Sequence, residues 1–370
     1  MKGKVLITGG AGFIGSHLAD ELIDNGYTVR ALDNLSPQVH GRQAKRPDYL
    51  NSQVELQIGD VRDENAVSQA LEGIDTVFHL AAMVGVGQSM YQIKDYTEVN
   101  NLGTAVLLEQ LIKNPVKKLV VASSMSIYGE GLYADKEGKP YSSCQRNIED
   151  LKNDNWEMQN ENSILSPVPT PENKKPNLSS VYALSKYDQE RLCLMTGKAY
   201  NIPTTALRFF NIYGTRQALS NPYTGVLAIF ASRLLNERAP MIFEDGLQKR
   251  DFIHVKDVAR ACRYAMEKST ANNDVFNIGS GRQYTVIELA ERLAAVMKKH
   301  IQPEVTGKYR IGDIRHCFAD ISKARELLDF EPKIDLEDGL AELADWLKDQ
   351  IAIDNVNKAS VELASRGLTV

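Results

Sequence analysis

Three side chains whose types and spacing could move a proton are Ser124, Tyr182 and Lys186. Tyr182 and Lys186 are four residues apart in a helical pattern, so they project from one helix face, about one turn apart. A phenol has a pKa of about 10, and a nearby ammonium group favours its phenolate form. Ser124 follows a strand pattern at 118–122, and open α/β sheets bind ligands at the carboxyl ends of their strands. The three residues are therefore the candidate catalytic group, with the serine and the tyrosine on one substrate oxygen.

A glycine-rich turn near the N-terminus predicts a site for a dinucleotide. Gly9, Gly12 and Gly15 stand between a strand pattern at 4–8 and a helical pattern that ends at Gly26. The first glycine permits a tight turn, the second lets the backbone approach a pyrophosphate, and the third allows the helix to pack closely on the strand. The phosphates would then lie at the helix N-terminus. A glycine turn that binds no ligand is the alternative.

The residue that would select the dinucleotide is Asp33, at the end of the next strand pattern and 18 residues after Gly15. Its carboxylate can accept hydrogen bonds from the adenine-ribose hydroxyls, and it repels a 2′-phosphate. No arginine follows it directly, so NAD is favoured over NADP as the cofactor. The positive nicotinamide ring would then favour the Tyr182 phenolate, and Lys186 could hold the nicotinamide ribose.

The elements that must position these residues alternate between strands and helices. Helical patterns separate strand patterns at 4–8, 28–32, 54–58, 75–80 and 117–122. This order predicts a parallel sheet with helices on both faces. We therefore expect an α/β fold, with a Rossmann-type doubly wound parallel sheet in a first domain (1–180) and a smaller C-terminal α/β substrate domain (181–352). The second segment begins with the Tyr182 helix, which returns to the first domain, and a tail follows at 353–370.

The stretch at 132–178 interrupts this alternation. It is polar, rich in proline and asparagine, and too long for an ordinary connection. It is either an excursion on the surface or a lid or wall of the pocket. Beyond it the patterns predict a helix at 181–200, strands at 204–208, 251–255 and 274–278, and helices at about 225–237, 285–299 and 335–350. The tail has no clear partner.

The composition excludes several classes of protein. The 370 residues are 43% hydrophobic and 25% charged, as in ordinary soluble globular proteins. A net charge of −5 without a basic block argues against nucleic-acid binding, and no apolar run is long enough to span a membrane. The chain enters a strand directly, so we expect no signal peptide and a cytoplasmic protein. The four cysteines lie far apart without a histidine group, so we expect neither a disulfide framework nor a metal site.

A longer series of motifs runs from residue 4 to about 350: Thr8-Gly9-Gly10-Ala11-Gly12-Phe13-Ile14-Gly15, Asp33-Asn34, Gly59-Asp60-Val61, His79-Leu80-Ala81-Ala82, Asn100, Ser123-Ser124, Tyr182-x-x-x-Lys186, Arg208-Phe209-Phe210-Asn211-x-Tyr213-Gly214, Arg250-Asp251-Phe252-Ile253-His254-Val255 and Arg310-x-Gly312-Asp313. In these motifs and their order the chain resembles the extended short-chain dehydrogenase/reductases of the nucleotide-sugar epimerase/dehydratase group. Only the stretch at 132–178 and the tail fall outside the resemblance.

The resemblance implies a role for each matched residue. NAD would be bound by Gly9, Gly12, Phe13, Ile14, Gly15, Asp33, Asn34, Asp60, Val61, Leu80, Ala81, Ala82, Asn100, Tyr182 and Lys186. A nucleotide-diphosphate sugar would be bound by Ser124, Ser126, Asn211, Val226, Phe243, Arg250, Arg310 and Asp313. Within this set the amide and the two arginines would hold the diphosphate, and Asp313 would hold the nucleoside ribose. The resemblance also implies a homodimer in which the helices at about 95–112 and 181–200 pack against their copies.

The two residues after Ser124 distinguish the reactions of this group. Sugar 4,6-dehydratases carry an Asp-Glu pair there, glucuronate decarboxylases resemble Ser-Glu and 3,5-epimerases resemble Ala-Cys, whereas this chain has Met125 and Ser126. Elimination of water needs an acid and a base, and these side chains supply neither well. The remaining reactions need only hydride transfer. They are a 4-epimerase, which inverts C4 through a transient 4-keto intermediate with tightly bound NAD, and an NAD-dependent 4-dehydrogenase.

The substrate is indicated by two segments and by the stretch at 132–178, which is a long insertion relative to the family. Residues 34–41 and 122–131, together with the insertion, are similar to the dTDP-L-rhamnose 4-epimerase branch, which acts on a dTDP-6-deoxyhexose. That branch often carries several cysteines in the insertion, whereas this chain has only Cys144. A UDP-glucose/UDP-galactose 4-epimerase shares nearly every motif and is the alternative. A catalytically idle NAD-binding protein is the alternative from another class, but it would have lost the serine, the tyrosine or the lysine.

Overall fold

The computed structural model describes residues 2–43, 45–160, 163–310 and 312–369. Parts of the sequence-based predictions fall on positions outside these described residues, namely Met1, Ala44, Glu161, Asn162, Ile311 and Val370.

The strands are, in chain order, β1 (Lys4–Thr8), β2 (Thr28–Asp33), β3 (Glu55–Ile58), β4 (Thr76–His79), β5 (Lys118–Ser124), β6 (Leu132–Ala134), β7 (Pro140–Tyr141), β8 (Ser166–Val168), β9 (Thr204–Phe209), β10 (Asn211–Tyr213), β11 (Met241–Ile242), β12 (Lys249–Arg250), β13 (Phe252–His254), β14 (Asp274–Ile278), β15 (Tyr284–Thr285), β16 (Glu304–Val305) and β17 (His316–Cys317). The helices are α1 (Phe13–Asp24), α2 (Pro37–His40), α3 (Glu64–Ala70), α4 (Val86–Ser89), α5 (Ile93–Tyr96), α6 (Gly103–Lys113), α7 (Ile148–Lys152), α8 (Val181–Ala199), α9 (Val226–Leu235), α10 (Val255–Glu267), α11 (Val286–Val296), α12 (Ser322–Leu328), α13 (Leu336–Leu347) and α14 (Val356–Ser365). A π-helical turn (Thr97–Leu102) joins α5 to α6, and 3₁₀ turns follow β5 (Met125–Tyr128) and α10 (Ser269–Ala271).

A parallel sheet forms the centre of the molecule. Among the described residues its seven strands have the order β14-β9-β5-β4-β1-β2-β3, and every neighbouring pair is parallel. Successive side chains point to opposite faces, so Val5 and Ile7 join one buried cluster while Leu6 joins another. Both faces are apolar because helices cover both of them. The prediction of a Rossmann-type doubly wound α/β fold is confirmed.

The helices on the two faces create the crevice in which a ligand can bind. α1 and α10 cover one face with residues such as Leu18 and Val258, and α6 and α8 cover the other with Leu107 and Cys193. The chain runs outward from β1 to β3 in one direction and from β4 to β9 in the other. Connections on either side of β1 and β4 therefore diverge, and a crevice opens at the carboxyl ends of these strands.

The central sheet contains strands from both sides of residue 180. β9 and β14 belong to the central sheet, and α10 packs on α1, although all three lie in the segment assigned to substrate binding. α9, α11 and α13 surround a separate apolar cluster that contains Phe230, Leu293 and Leu340. The chain thus crosses repeatedly between the two parts. Local hydrophobic patterns identify strands, but they do not show which sheet a strand joins.

The stretch at 132–178 folds as a small unit rather than as a loose surface excursion. β6 pairs antiparallel with β7 and with β8. Tyr133, Met158 and Leu165 form a small core beneath these strands. We call the described part of this stretch the insertion.

The tail is also packed, although the sequence shows no partner for it. Leu363 of α14 is buried, and its side chain lies against Gly87 of α4. The Arg366 guanidinium stacks on the Tyr91 ring, 4.4 Å from the ring centroid. No helix within the described residues is both long and apolar enough to cross a membrane.

Candidate active site

The glycine-rich turn connects β1 to the N-terminus of α1. Gly9 has a φ of +72°, and a Cβ atom at Gly15 would lie 2.3 Å from the Gly9 carbonyl oxygen, so only glycine fits where α1 packs on the turn. α1 follows Gly12, and no side chain caps its first N–H groups. These free donors and the absence of Cβ atoms in front of them suit a pyrophosphate. Phe13 and Ile14 form the first turn of the same helix.

Asp33 lies at the end of β2, beside the glycine turn. Its carboxylate accepts hydrogen bonds from the backbone N–H of Ala11 (3.0 Å) and of Leu35 (2.9 Å). A carboxylate has about four lone-pair positions, so capacity remains for ribose hydroxyls. The residue is thus buried, fixed and adjacent to the phosphate-binding turn, as a selector of the adenosine half requires.

Asn34, Asp60 and Val61 lie next to Asp33 because β2 and β3 are neighbours in the sheet. The Asn34 amide donates a hydrogen bond to Asp60 Oδ2 over 3.0 Å. Hydrogen bonds from the Arg62 guanidinium lower the pKa of Asp60 to about 2, so this carboxylate is ionised at neutral pH. Val61 is buried beside it.

Asn100 lies in the π-helical turn and is fully buried. Its Oδ1 accepts a hydrogen bond from Met83 N (2.8 Å), and its Nδ2 donates to Ser185 Oγ (2.9 Å). π-helical turns occur frequently at functional sites. Asn100 therefore links α8 to the segment after β4, which carries Leu80, Ala81 and Ala82.

Ser124 is the last residue of β5 and lies at the crevice. Its Oγ accepts hydrogen bonds from Ser126 N (3.2 Å) and Ser126 Oγ (2.9 Å). Because these bonds use the oxygen lone pairs, the Ser124 hydroxyl hydrogen is available for donation, and it is directed to the Tyr182 side chain. Ser126 is itself buried, so in this structure it orients Ser124. Met125 lies between them in sequence and packs in an apolar cluster that also contains Cys317.

Tyr182 lies in the first turn of α8. Its N–H donates to Ser89 Oγ (3.0 Å), and its ring packs edge-on against Tyr96, with 6.4 Å between centroids. Burial raises the pKa of Tyr182, and a hydrogen bond from Ser124 opposes that rise. The surrounding residues thus hold Tyr182 as a neutral phenol, and the phenolate requires an additional positive charge such as a nicotinamide ring.

Lys186 lies one turn further along α8 and is buried. Burial lowers the pKa of Lys186 to about 8. Its Nζ donates to Gln189 Oε1 (2.7 Å), and Gln189 Nε2 donates to Thr104 Oγ1 of α6 (2.8 Å). Gln189 therefore fixes the lysine head group. The sequence reasoning missed this residue, although its position three residues after Lys186 places it on the same helix face.

Arg310, Asp313 and Arg250 form a second polar group. Arg310 donates from Nε (3.1 Å) and Nη2 (2.9 Å) to Asp313 Oδ2, and its guanidinium stacks on the Phe243 ring, 4.5 Å from the centroid. Arg250 donates to the Arg315 carbonyl over 2.7 Å. Burial acts to raise the pKa of Asp313, but Arg310 and Arg250 outweigh it and hold the pKa below its usual value. The group can present guanidinium forks to a diphosphate.

Asn211 and Val226 have fewer polar contacts that would indicate a role in substrate binding. Asn211 Nδ2 donates to the carbonyl of Asp251, which follows Arg250 directly, so Asn211 lies beside the arginine strand β12. Val226 begins α9 and packs against the apolar cluster of the second part of the chain.

Metal-binding residues and disulfides do not feature in the site. No group of three or more His, Cys, Asp or Glu in the described ranges could hold a metal ion. All four cysteines lie within these ranges and are free. Burial raises the pKa of the Cys317 thiol to about 12, so this residue behaves as a small apolar side chain.

Comparisons with known proteins identify the family of this chain. The chain matches the model of the "NAD dependent epimerase/dehydratase family" over residues 5–150 and 161–279. The dTDP-L-rhamnose 4-epimerase of Burkholderia thailandensis is 33% identical over 353 residues, which are 94% of this chain and 96% of that protein.

Solved structures with the same fold include two nucleotide-sugar epimerases. The UDP-glucose 4-epimerase of Thermotoga maritima, solved with UDP-glucose, has a TM-score of 0.75 and 34% identity, and covers 93% of this chain and 98% of its own. The UDP-glucuronic acid 4-epimerase of Bacillus cereus, solved with UDP-glucuronic acid and NAD, has a TM-score of 0.76 and 28% identity, and covers 93% and 99% respectively. By these matches along nearly its whole length, the chain belongs to the NAD-dependent epimerase/dehydratase family.

Proposed function

We propose that this protein is a nucleotide-sugar 4-epimerase that uses tightly bound NAD to invert C4, with a dTDP-6-deoxyhexose such as dTDP-L-rhamnose as its substrate. The observation that carries the reaction type is the environment of β5. Ser124 forms a hydrogen bond with the Tyr182 side chain, while Met125, where dehydratases carry an acid, is buried among apolar side chains. The site therefore offers a serine, a tyrosine and a lysine, but no acid–base pair for elimination.

The chain provides a cradle for NAD. The uncapped N-terminus of α1 and the glycines at 9, 12 and 15 suit the pyrophosphate, and Asp33 suits the adenine ribose. Lys186 would hold the nicotinamide ribose through its fixed ammonium group. When bound, NAD supplies an acceptor for the C4 hydride and then returns it.

The catalytic side chains control a proton at one oxygen. Tyr182 would accept the proton of the C4 hydroxyl, and the Ser124 hydroxyl, which is bonded to Tyr182 in this structure, would donate to the same substrate oxygen. Lys186 holds positive charge below a pH of about 8 and so favours the phenolate during the reaction. Asn211, Arg250 and Arg310 would hold the diphosphate, and Asp313 the nucleoside ribose, while the sugar turns to present its other face.

The choice of nucleotide and sugar rests on similarity of sequence. The aligned Burkholderia thailandensis protein is a dTDP-L-rhamnose 4-epimerase, and its alignment spans 94% of this chain. Segments 34–41 and 122–131 favour the same branch. The Thermotoga maritima epimerase, which is 34% identical and was solved with UDP-glucose, supports a UDP-glucose/UDP-galactose 4-epimerase as the second candidate.

We also propose that the enzyme acts as a homodimer in the cytoplasm. Apolar side chains on α5, the π-helical turn and α8 are about half exposed: Ile93 54%, Leu102 50%, Leu184 54% and Met195 53%. Leu184 and Met195 are eleven residues apart and share one face of α8. A second copy that covers these helices would bury this surface as a four-helix interface. The free cysteines suit a reducing compartment.

The substrate is tested by incubating the purified protein, without added cofactor, with dTDP-L-rhamnose and separately with UDP-galactose, and following both sugars by NMR. We expect conversion of dTDP-L-rhamnose to its C4 epimer. Conversion of UDP-galactose alone would replace the proposal with the hexose epimerase. If neither sugar is converted but added NAD is reduced, the protein is a dehydrogenase.

A further inference from the structure

We propose that Arg146, supplied by the insertion, is a positioning residue for the nucleotide-sugar: it holds in place the loop that carries Arg310 and Asp313, which the structure describes at Arg310 and at residues 312–315. The inference rests on the proposed function, because it assigns a task to the insertion within the same substrate site. Buried charged side chains lie between the insertion and this loop.

Arg146 connects three segments of the chain. Its side chain is 7% exposed, and its Nε and Nη1 lie 3.2 Å and 2.6 Å from carboxylate oxygens of Glu130 and Glu244. Its Nη2 donates to the backbone carbonyl of Asp313 over 2.8 Å. The guanidinium thus uses separate donors for two carboxylates and for the substrate loop, as its fixed fork geometry allows.

The same interface contains a second buried arginine. Arg315 is fully buried, and it pairs with Glu157 of the insertion and with Glu244 and Asp245 of the segment after β11. Its backbone N–H donates to Glu130, which also accepts from Arg146. Carboxylates therefore surround both guanidinium groups, and the arginines occupy the space between the acids.

Apolar contacts reinforce this attachment. Leu151 and Trp156 of the insertion form a buried cluster with Tyr309, the residue before Arg310. The Trp156 and Tyr309 rings are 6.4 Å apart between centroids. The loop is thus fixed by the insertion at its start, near Tyr309, and at its middle, near Asp313.

The loop also contacts the residues that lead into α8, the helix that carries Tyr182. Ser179 Oγ donates to the Gly312 carbonyl over 3.3 Å, and Ser179 lies three residues before Tyr182. A Cβ atom at Gly312 would lie 2.8 Å from the Ser179 carbonyl oxygen, so the loop approaches the start of α8 closely. Displacement of the loop would therefore move Arg310 and Asp313 relative to Tyr182. The contacts from the insertion oppose this displacement.

The test compares Arg146→Lys with an exposed control, Arg282→Lys. The lysine keeps the positive charge between Glu130 and Glu244, so the fold should be preserved. It cannot donate to both carboxylates and to the Asp313 carbonyl with the fixed geometry of a guanidinium group. Arg282 pairs with Asp335, and both side chains are 59% exposed. Arg146→Lys should lose the hydrogen bond to the Asp313 carbonyl and so hold Arg310 and Asp313 less firmly. We therefore expect the Kd of dTDP or UDP and the KM of the sugar nucleotide to rise by about tenfold, an effect of the size of one charge-assisted hydrogen bond. The kcat and the amount of bound NAD of Arg146→Lys should stay within about twofold of wild type. All of these quantities should stay within about twofold of wild type for Arg282→Lys.

A second variant guards against a general loss of stability. Arg146→Met combined with Glu244→Gln removes one positive and one negative charge, so it leaves less uncompensated charge in the interface than Arg146→Met alone. It should weaken nucleoside-diphosphate binding at least as much as Arg146→Lys, with bound NAD retained. A lower Tm with wild-type affinity for dTDP and UDP in both variants would mean that Arg146 is only structural, and would overturn the inference.

The proposed function and the inference fail in different ways. If the wild-type protein binds neither dTDP nor UDP, the nucleotide-sugar site is wrong and the inference falls with it. If the wild type binds and converts a nucleotide sugar but the variants bind as tightly, only the inference fails.

Discussion

At the scale of single residues, the central feature is the contrast between Tyr182 and Lys186. Burial raises the pKa of the phenol, and it lowers the pKa of the ammonium group to about 8. Both shifts favour the neutral forms of these groups. The proposed reaction needs the phenolate, so the positive nicotinamide ring of bound NAD would have to add to the stabilisation that the Lys186 charge provides.

Replacement of the catalytic phenol tests this role. We expect Tyr182→Phe to lower kcat by about 100- to 10,000-fold, because the proton at the C4 hydroxyl loses its acceptor. Bound NAD and Tm should stay near wild type. The matched control is Tyr200→Phe at the other end of α8, where the side chain is 51% exposed. Turnover of Tyr182→Phe near the wild-type rate would refute the assignment.

A buried ion pair fixes the strand that carries the catalytic serine. Glu190 of α8 pairs with Arg208 over 2.6 Å and accepts a hydrogen bond from Ser123 Oγ over 2.6 Å. We expect Glu190→Gln to lower the free energy of unfolding by about 3–5 kcal/mol, because it leaves the arginine charge buried without its partner. Chemical denaturation measures the change, with exposed Glu149→Gln as the control. An unchanged unfolding midpoint would mean that the pair contributes nothing to stability.

At the scale of elements, the sequence predicts local structure and misses long-range attachment. The glycine turn, Ser124 and the Tyr182–Lys186 pair are readable because each lies within one strand–turn–helix unit or one helix. Arg146 and Arg315 are not, because their partners lie far away in sequence and a charged residue in a polar stretch looks like any surface residue. The packed tail is missed for the same reason, since Leu363 contacts Gly87 across most of the chain.

The docking of the insertion should depend on pH. Burial acts to raise the pKa of Glu157, but hydrogen bonds from His316 and Arg315 outweigh it and lower the pKa to about 2. A carboxyl whose pKa is lower when folded stabilises the protein above its ordinary pKa and loses this effect as the pH falls toward 2.

We therefore expect Glu157→Gln to be less stable than wild type at pH 7, with the difference shrinking as the pH falls from about 4.5 toward 2. Thermal unfolding at a series of pH values measures it. Exposed Glu137→Gln, in the same insertion, should show no such trend. A difference for Glu157→Gln that stays constant with pH would contradict this origin of the stability.

At the scale of the whole molecule, the chain crosses repeatedly between the central sheet and the apolar cluster of α9, α11 and α13. β9 and β14 join the central sheet and α10 packs on α1, so the first and the later parts of the chain share a single framework. The helices and strands that the sequence predicts lie close to those of the structure, whereas the order of the strands in the sheet does not follow from the sequence. Strand order depends on contacts between distant segments, which a local pattern does not encode.

The exposed apolar surface of α8 and the π-helical turn predicts the assembly. If the proposed dimer forms, we expect Leu184→Asp to convert it to a monomer, because a charge at the proposed interface would be buried without a partner. Analytical ultracentrifugation measures the change. The control is Ile351→Asp, whose side chain is 94% exposed outside these helices. A dimer that survives Leu184→Asp, or a monomeric wild type, would contradict the proposed interface.

The most direct test of C4 inversion follows the hydrogen on C4. We would incubate the protein with dTDP-L-rhamnose deuterated at C4, and repeat the reaction with unlabelled substrate in D₂O. Removal and return of hydrogen within one site predicts a C4 epimer that keeps its deuterium, and no solvent deuterium at C3 or C5. Loss of the C4 label to solvent, or deuterium entering at C3 or C5, would contradict the account.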